Sequence, residues 1–540
     1  MQAYIEELRA ALGEKVRTED FERFAYGADW SPRTPKEVFP PDVVVLPKET
    51  EDVRKTVEIA RRHGVPVTAG GGLTGMAGGA VPIHGGIYID GSSMNRIIEV
   101  DPANQTIRAQ AGATMQELLD ALEPHGLWIP NLPESKWSCT LASEIACDND
   151  STFGMKYGKI LNALLSVEVV TGRAEVVELG HRKAHFTSSG YKLKDLIVGS
   201  EGTLGVITAA TLKAEPIPEE RSVDMILFPS MTKAVEYLNR LLKAGLCIEG
   251  AHINCKRRLK FYTHAYKEKH GREPEVPDWA EALLAIIFAG DKKVVSFNKK
   301  YAFRIAEEMG GQLVKERDIV ESWWISKHTL AFEPYKQKWP KSQVEKKFGA
   351  CDPGVPMGRL EEFYKAFVAT AEKHNLQILG MNAYLEHPNS IGFSCSCALF
   401  VNYRDQDEVN RFRRYFEELS KIAVDMGGTM STYMGDTNLR VPYLEYEHGK
   451  AVEYMREVKR VFDPDGIMNP GKKFRWEGRA GVCGPAGDSA GAGGGVGGGG
   501  GAGGETGGAG GREESGSNKE GRVVSEAGSG GWSGPGGGGV

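Results

Sequence analysis

The chain is 540 residues long with 41% hydrophobic residues, enough for two or three domains with cores of their own. Its formal charge of −6, with Lys and Arg spread along the chain rather than gathered into a basic stripe, points away from nucleic acid. No run approaches the roughly 18 apolar residues of a membrane helix, the start reads as an amphipathic helix rather than a secretory leader, and the eight cysteines show no CxxC spacing. A cytoplasmic protein is expected, not an integral membrane protein, with no iron–sulfur cluster, zinc ribbon or disulfide framework of its own.

Residues 42–215 repeat short β-branched runs, glycine-rich turns and amphipathic helices: the strand DVVVLP, the helix EDVRKTVEIARRHG, the strand VPVTA, the helix TMQELLDALEPHG. That alternation predicts an α+β or α/β domain. From about 220 to 425 the elements lengthen, with strands MILFP, LLAIIFAG and ALFVNY between helices such as TKAVEYLNRLLKAG and RLEEFYKAFVATAEKHN. This order suits an antiparallel sheet covered by helices on one face. Cys395 and Cys397 alternate on a strand and read as buried thiols. A last helix, EYEHGKAVEYMREVKRVF, leads into the tight turn DPDGIMNPGKKF. Beyond about Arg475 the composition collapses into Gly, Ala and Ser, which cannot bury enough apolar area to offset the entropy of ordering, so a flexible tail is expected.

The densest chemical signal is GGGLTGMAGGAVP, Gly70 to Pro82, directly after the strand VPVTA. Glycines there let backbone N–H groups approach an anion closely, and consecutive amides form a concavity for phosphate. The loop is not the GxGxxG dinucleotide fingerprint, because no helix follows at once and no acidic residue follows a second strand about twenty positions on.

Five segments in order carry a family resemblance. These are Gly70–Pro82; GGIYIDGSSMNRIIEVDPANQTIRAQAGATMQELLDALEPHGLWIP; the KYG of Lys156–Gly158; SGYKLKDLIVGSEGTLGVITAATL; and FDPDGIMNPGK, Phe462–Lys472. Together they resemble the vanillyl-alcohol oxidase / p-cresol methylhydroxylase fold, and in spacing look most like its D-lactate dehydrogenase and glycolate oxidase FAD-subunit branch. The resemblance spans about residues 35 to 475. It implies an α+β, two-lobed FAD-binding domain over residues 1–218, a cap over 219–425 with an antiparallel sheet covered by helices, and a C-terminal segment, 426–475, that returns to the first domain before the tail of 476–540.

What the resemblance implies for the cofactor can be given residue by residue. Gly70, Gly71, Gly72, Leu73, Thr74, Gly75 and Met76 match the loop that holds the FAD diphosphate, and Gly78 and Gly79 match glycines that let the flavin lie against backbone. Pro133, Glu134, Ser135, Ser138 and Thr140 match the segment lining the isoalloxazine; Glu201, Gly202, Gly205, Val206 and Ile207 match the stretch passing the adenosine and pyrimidine ends; Asn469 matches a position near the ring. Where some relatives place a His that bonds the flavin, this loop has Gly72 and Leu73, so FAD is expected to be non-covalent. Ala142 and Ser143 replace two glycines of the family pattern, and Asp148 stands where Asn is usual.

The larger departures lie where chemistry is expected. Oxidising a 2-hydroxy acid needs a hydride acceptor, a base for the hydroxyl proton and a cation for the carboxylate. The branch usually supplies these with a His-rich metal motif and an EHG motif; here Gly427, Gly428, Thr429 and Ser431 lead instead to Tyr433, Met434, Gly435 and Asp436. The metal position reads GMNAYLEHPNSIGFSCS, with only Glu386 and His387 as usual ligand types, too few for a catalytic metal site, so no metal is expected. Tyr433, His387, Tyr384 and Asp436 are the candidate acid–base groups, and Arg440 or Arg359 the candidate anion holders. Three functions compete. The first is 2-hydroxy acid oxidation of the D-lactate or glycolate type; the second, phenolic or aryl-alcohol oxidation in a pocket of Tyr384, Tyr433, Trp323 and Trp324; the third, a flavin-binding electron-relay subunit without its own turnover. Electrons must leave to oxygen, a quinone or another protein.

Overall fold

The computed structural model describes residues 3–327, 346–386 and 392–475. His387 and the glycine-rich segment 476–540 lie outside the described residues.

The chain opens on the helix Ala3–Leu12, whose buried Tyr4, Ile5, Leu8 and Leu12 seat it on a small sheet. That sheet pairs Val43–Val45, Ile87–Asp90 and Val67–Gly70 in parallel, with Val16–Arg17 antiparallel at one edge. The all-buried pattern of VVV and IYID is what a sheet covered on both faces requires. Between Val43–Val45 and Val67–Gly70 runs the crossover helix Thr50–His63. The Asp52 carboxylate accepts from the backbone N–H of Lys48 at its start, and Gly64, at φ +64, ends it in the left-handed conformation that glycine adopts without strain. The next connection has no helix. Residues 71–86 form an irregular loop that returns to Ile87–Asp90, a parallel neighbour, so the glycine-rich segment is displayed at the carboxyl end of a strand.

A five-stranded antiparallel sheet follows, in the order Ile97–Asp101, Thr106–Gln110, Gly205–Lys213, Leu164–Thr171, Val176–Gly180. The long middle block builds a larger antiparallel sheet. Its main path runs Gln312–Leu313, Glu220–Phe228, Ala282–Gly290, Gly250–Cys255, Gln377–Tyr384, Gly392–Val401, Lys347–Cys351, and Gly354–Pro356 adds to Gly392–Val401. One face carries Ile226, Phe228, Ile286 and Phe288 into a core with the helices Met231–Lys243, Leu360–Lys373 and Gln406–Asp425. The opposite face is not bare: Met225, Leu227, Leu283 and Ile287 pack with Leu259, Tyr262, Ile319 and Trp323 of the helices Lys256–His270 and Arg317–Ser326, and with Trp128 and Phe153. Helices therefore lie on both faces, where the sequence pattern placed them on one. The uninterrupted apolar run in strands such as MILFP and LLAIIFAG is the pattern of a sheet covered on both faces. Cys395 and Cys397 are both fully buried.

After the helix Ala451–Phe462 the chain crosses back to the first sheet. The Val67 amide donates to Ile467 O at 2.8 Å and the Asn469 amide to Val67 O at 2.7 Å, an extra parallel bridge beside the strand that feeds the glycine loop.

Candidate cofactor and substrate cavity

Between these parts lies a cavity of about 300 Å3. One side is rich in glycine. Gly70, Gly71, Leu73, Thr74, Gly75, Met76 and Gly79 line it, and Glu201, Gly202, Gly205, Val206 and Ile207 face it from the turn that enters the strand Gly205–Lys213. Missing side chains make this wall. A Cβ on Gly70 would stand 2.0 Å from Tyr88 Oη, and one on Gly71 2.4 Å from Thr140 Oγ1, so any larger residue would push the loop into the cavity. Leu73 at φ +52 and Glu201 at φ +52 are non-glycine residues held in left-handed conformations, a strain that clusters at binding sites.

Pro133, Glu134, Ser135 and Thr140 also face the cavity, as do Ala142 and Ser143, the two residues that replace family glycines. Asp148, in place of Asn, does not line it; it ends the helix Leu141–Cys147 at φ +49, a conformation Asn and Asp both tolerate, and binds Lys159 Nζ at 2.8 Å. Four residues of the expected FAD set stand behind the wall rather than on it. A Cβ on Gly72 would be 1.9 Å from Ser138 O, and one on Gly78 2.3 Å from Arg33 Nη2, so Gly72, Gly78 and Ser138 serve close packing of the loop. Asn469 donates from Nδ2 to Gly79 O at 2.9 Å and to Glu201 O at 2.6 Å, tying the two main-chain segments together.

At the other end the wall is side chains. Tyr384, closing the strand Gln377–Tyr384, and Tyr433 face the cavity with ring centroids 6.4 Å apart. Behind Tyr384 the His252 ring stacks at 5.0 Å, its Nε2 against Thr152 O at 3.1 Å; burial, then Lys327, pushes its proton affinity down to about 3, so it is neutral. Tyr433 is aimed by a buried anion. Asp352 Oδ2 accepts the backbone N–H groups of Thr432, Tyr433 and Met434 at 3.0, 2.8 and 2.7 Å, while its Oδ1 accepts from Arg440 Nη2 at 2.6 Å. Arg440 and Asp352 side chains are each 0% exposed.

Five of the residues singled out in the sequence stand off the cavity wall. Arg440 is not on the cavity wall, because the Asp352 carboxylate holds its guanidinium. Nor is Asp436, which pairs with Lys473 Nζ at 2.7 Å. Arg359 is at the surface, bound to Glu362 at 2.6 Å. Trp323 is buried in the core edge-on to His252, and Trp324 packs against Phe153; neither lines the cavity.

The structure adds residues that the sequence analysis did not single out. Arg258, Lys327, Asp150, Tyr262, Asn382, Ser396 and Phe348 all face the cavity. Lys327 Nζ bonds Glu134 Oε1 at 2.6 Å; burial opposes its charge most strongly, but Glu134 and Tyr262 together hold its proton affinity above the ordinary lysine value, so it stays cationic. The Arg258 Nε has no hydrogen-bond partner among the described residues. The Asp150 carboxylate accepts from the Tyr384 hydroxyl. One local signal was available: Asp150 ends the same ACDND stretch in which Asp148 had already departed from the family pattern. Arg258 and Lys327 sit at the start and just past the end of two helices far apart in sequence, and nothing local marks them.

Residues 41–180 match the FAD binding domain family and residues 217–473 the C-terminal domain of FAD linked oxidases. A D-lactate dehydrogenase of Archaeoglobus fulgidus is 30% identical over 452 residues, covering 80% of this chain and 91% of that protein. The chain belongs to the FAD-linked oxidases. The glycolate oxidase subunit GlcD of Bacillus subtilis is 27% identical to this FAD-linked oxidase over 463 residues, 85% of this chain and 94% of that one. Among solved structures, 4-ethylphenol oxidase from Gulosibacter chungangensis superposes with a TM-score of 0.74 at 17% identity, over 88% of this chain and 97% of that one. p-Cresol methylhydroxylase superposes at 0.73 and 16% identity, over 87% and 96%. At such identities these two establish the fold alone. This FAD-linked oxidase is thus an FAD-dependent oxidoreductase, and the main-chain wall, which any Cβ at Gly70 or Gly71 would disrupt, fits a diphosphate held by backbone amides. No described helix is long and apolar enough to cross a membrane.

Proposed function

We propose that this FAD-linked oxidase converts a 2-hydroxy acid of the D-lactate or glycolate type to the 2-oxo acid by hydride transfer to flavin. The observation that carries the reading is the pair of cations on the cavity wall, Arg258 and Lys327, the first with an Nε that has no hydrogen-bond partner among the described residues. A planar guanidinium beside an ammonium is a fitting receptor for a carboxylate. D-lactate dehydrogenases and a glycolate oxidase subunit among the relatives favour the same substrate class.

In this reading bound FAD supplies the two-electron acceptor, held non-covalently by Gly70, Gly71, Leu73–Met76, Gly79, Pro133–Ser135, Thr140, Glu201, Gly202 and Gly205–Ile207, with Gly72, Gly78, Ser138 and Asn469 supporting them from behind. The loop from Gly70 to Gly79 contains no His, Cys or Tyr to bond the flavin. Arg258 and Lys327 bind and orient the carboxylate. Tyr384 and Tyr433 flank the hydroxyl and, with Tyr262 and Phe348, exclude water. We assign Arg440 and Asp436 to holding the turn that carries Tyr433. Residues 1–218 form the FAD domain, 219–425 the cap and 426–475 the returning segment. Seven described cysteines are free, which favours a reducing compartment such as the cytoplasm. The electron acceptor is a quinone or another protein.

The ring wall of Tyr384, Tyr433, Tyr262 and Phe348 favours a second reading, oxidation of an aryl alcohol. Anaerobic addition of D-lactate, glycolate and 4-hydroxybenzyl alcohol to the holoenzyme separates them. Bleaching of the oxidised flavin band by a hydroxy acid supports the first; bleaching by the aryl alcohol alone supports the second; an unbleached band would leave an electron-relay subunit.

A further inference from the structure

We propose that Asp150 is the base that takes the substrate's hydroxyl proton, with the Tyr384 hydroxyl as its hydrogen-bonded partner. The inference rests on the oxidation of a CH–OH group proposed above. Asp150 faces the cavity on the loop that follows the helix Leu141–Cys147, and its Oδ2 accepts from Tyr384 at the end of the strand Gln377–Tyr384, so two lobes of the molecule converge on one hydrogen bond.

The other titratable groups on this wall are unsuited to the task at neutral pH. Burial, and then the charge of Asp150 itself, holds the Tyr384 and Tyr433 phenols well above their ordinary value, so both remain protonated. Lys327 is kept cationic by Glu134, and Glu134 is occupied by Lys327. His252 stands behind Tyr384 and does not line the cavity. Asp150 is different: burial, then the neighbouring Glu134, pushes its carboxyl up to about 6, while the Tyr384 hydrogen bond, Lys327 and Lys159 pull the other way. Two further acidic groups face it: Glu386, a buried carboxyl raised well above its usual range by burial and by Asp150, and the Tyr433 phenol. A carboxylate ionised at pH 7 yet more basic than an exposed one is matched to general-base work.

The step balances with Asp150 as proton acceptor and the FAD of the proposed reading as the two-electron acceptor. The hydroxyl O–H proton passes to the Asp150 carboxylate, the C–O bond becomes C=O, and the α-hydrogen departs with its electron pair to oxidised FAD. Reoxidation by an electron acceptor then accompanies release of the proton from Asp150 to solvent.

The test uses the full-length holoenzyme and its Asp150→Asn and Tyr384→Phe variants. Flavin reduction is followed anaerobically from pH 5 to 9 with D-lactate, glycolate and 4-hydroxybenzyl alcohol, and infrared difference spectra between pH 5 and 8 are recorded without substrate. For wild type, the reduction rate is expected to rise with loss of one proton near pH 6 and then level. Asp150→Asn should lower the rate about 100-fold or more and abolish that inflection, with FAD content and substrate Kd within about twofold. Tyr384→Phe, which removes a bond to the anion, should shift the inflection to higher pH. In the infrared, wild type minus Asp150→Asn should isolate a carboxyl band titrating near pH 6. An Asp150→Asn enzyme that keeps its rate within tenfold, or keeps the inflection, overturns the assignment. If none of the three compounds bleaches wild type, the substrate reading has failed, and the infrared difference decides Asp150 separately: absence of that band overturns the proposal.

Discussion

Within Gly70–Gly79 and Glu201–Ile207 the cavity lining is rich in glycine, and a Cβ on Gly70 or Gly71 would collide at 2.0 or 2.4 Å. At the opposite end Asp150, Arg258, Lys327, Tyr384 and Tyr433 reach in from five separate segments, and all but Arg258 are set by a partner: Asp150 and Tyr384 hold each other, Glu134 holds Lys327, and the buried Asp352 holds the Tyr433 turn. A wall of main chain recognises what every member of a cofactor-sharing family binds. A wall of side chains can be rebuilt without disturbing it, because no single backbone conformation is required there. In the proposed reading the molecule therefore separates a fixed cofactor end from an adjustable reaction end.

That separation can be broken from either side. The largest effect is expected for Gly72→Ala, whose Cβ would stand 1.9 Å from Ser138 O: the loop must move, and FAD affinity, read by flavin absorbance after dialysis, should fall about 100-fold. Arg258→Met should leave FAD content unchanged and weaken hydroxy acid binding about 10- to 100-fold, the range for a charge-assisted hydrogen bond; an unchanged Kd would remove the carboxylate anchor. Asn469→Ala leaves Gly79 O and Glu201 O without their donor and should lower Tm by a few degrees while weakening FAD, with substrate Kd unaffected in the FAD-saturated enzyme. The smallest effect concerns Glu144, behind the cavity. Burial raises its carboxyl to about 8, above an unfolded value of about 4.3. Its contribution to stability is full below that unfolded value and is lost as pH rises through the folded one. Glu144→Gln should therefore flatten the fall of Tm between pH 5 and 8; an unaltered slope would assign the fall to another group.

The same contrast governs what could be read from the sequence. Gly70–Gly79 was legible because a backbone site needs consecutive residues of one kind, and the strand before it was legible from its β-branched run. The alternation of elements foreshadowed both the mixed lobe and the antiparallel sheet. Arg258 and Lys327 were not legible, since a cation on a helix or just past its end reads as a solvated face until tertiary packing turns it inward. Arg440 misled for the converse reason: proximity to Tyr433 in sequence suggested the cavity, whereas Asp352, eighty-eight residues earlier, claims its guanidinium. Asp150 was overlooked beside Asp148, although only the former faces the cavity.

The most direct test is a single anaerobic turnover of the holoenzyme with D-lactate or glycolate, quenched and assayed for the 2-oxo acid against the loss of oxidised flavin absorbance. One 2-oxo acid per flavin reduced is the expected result. Full retention of the oxidised band with no 2-oxo acid formed would contradict hydroxy acid oxidation by this chain.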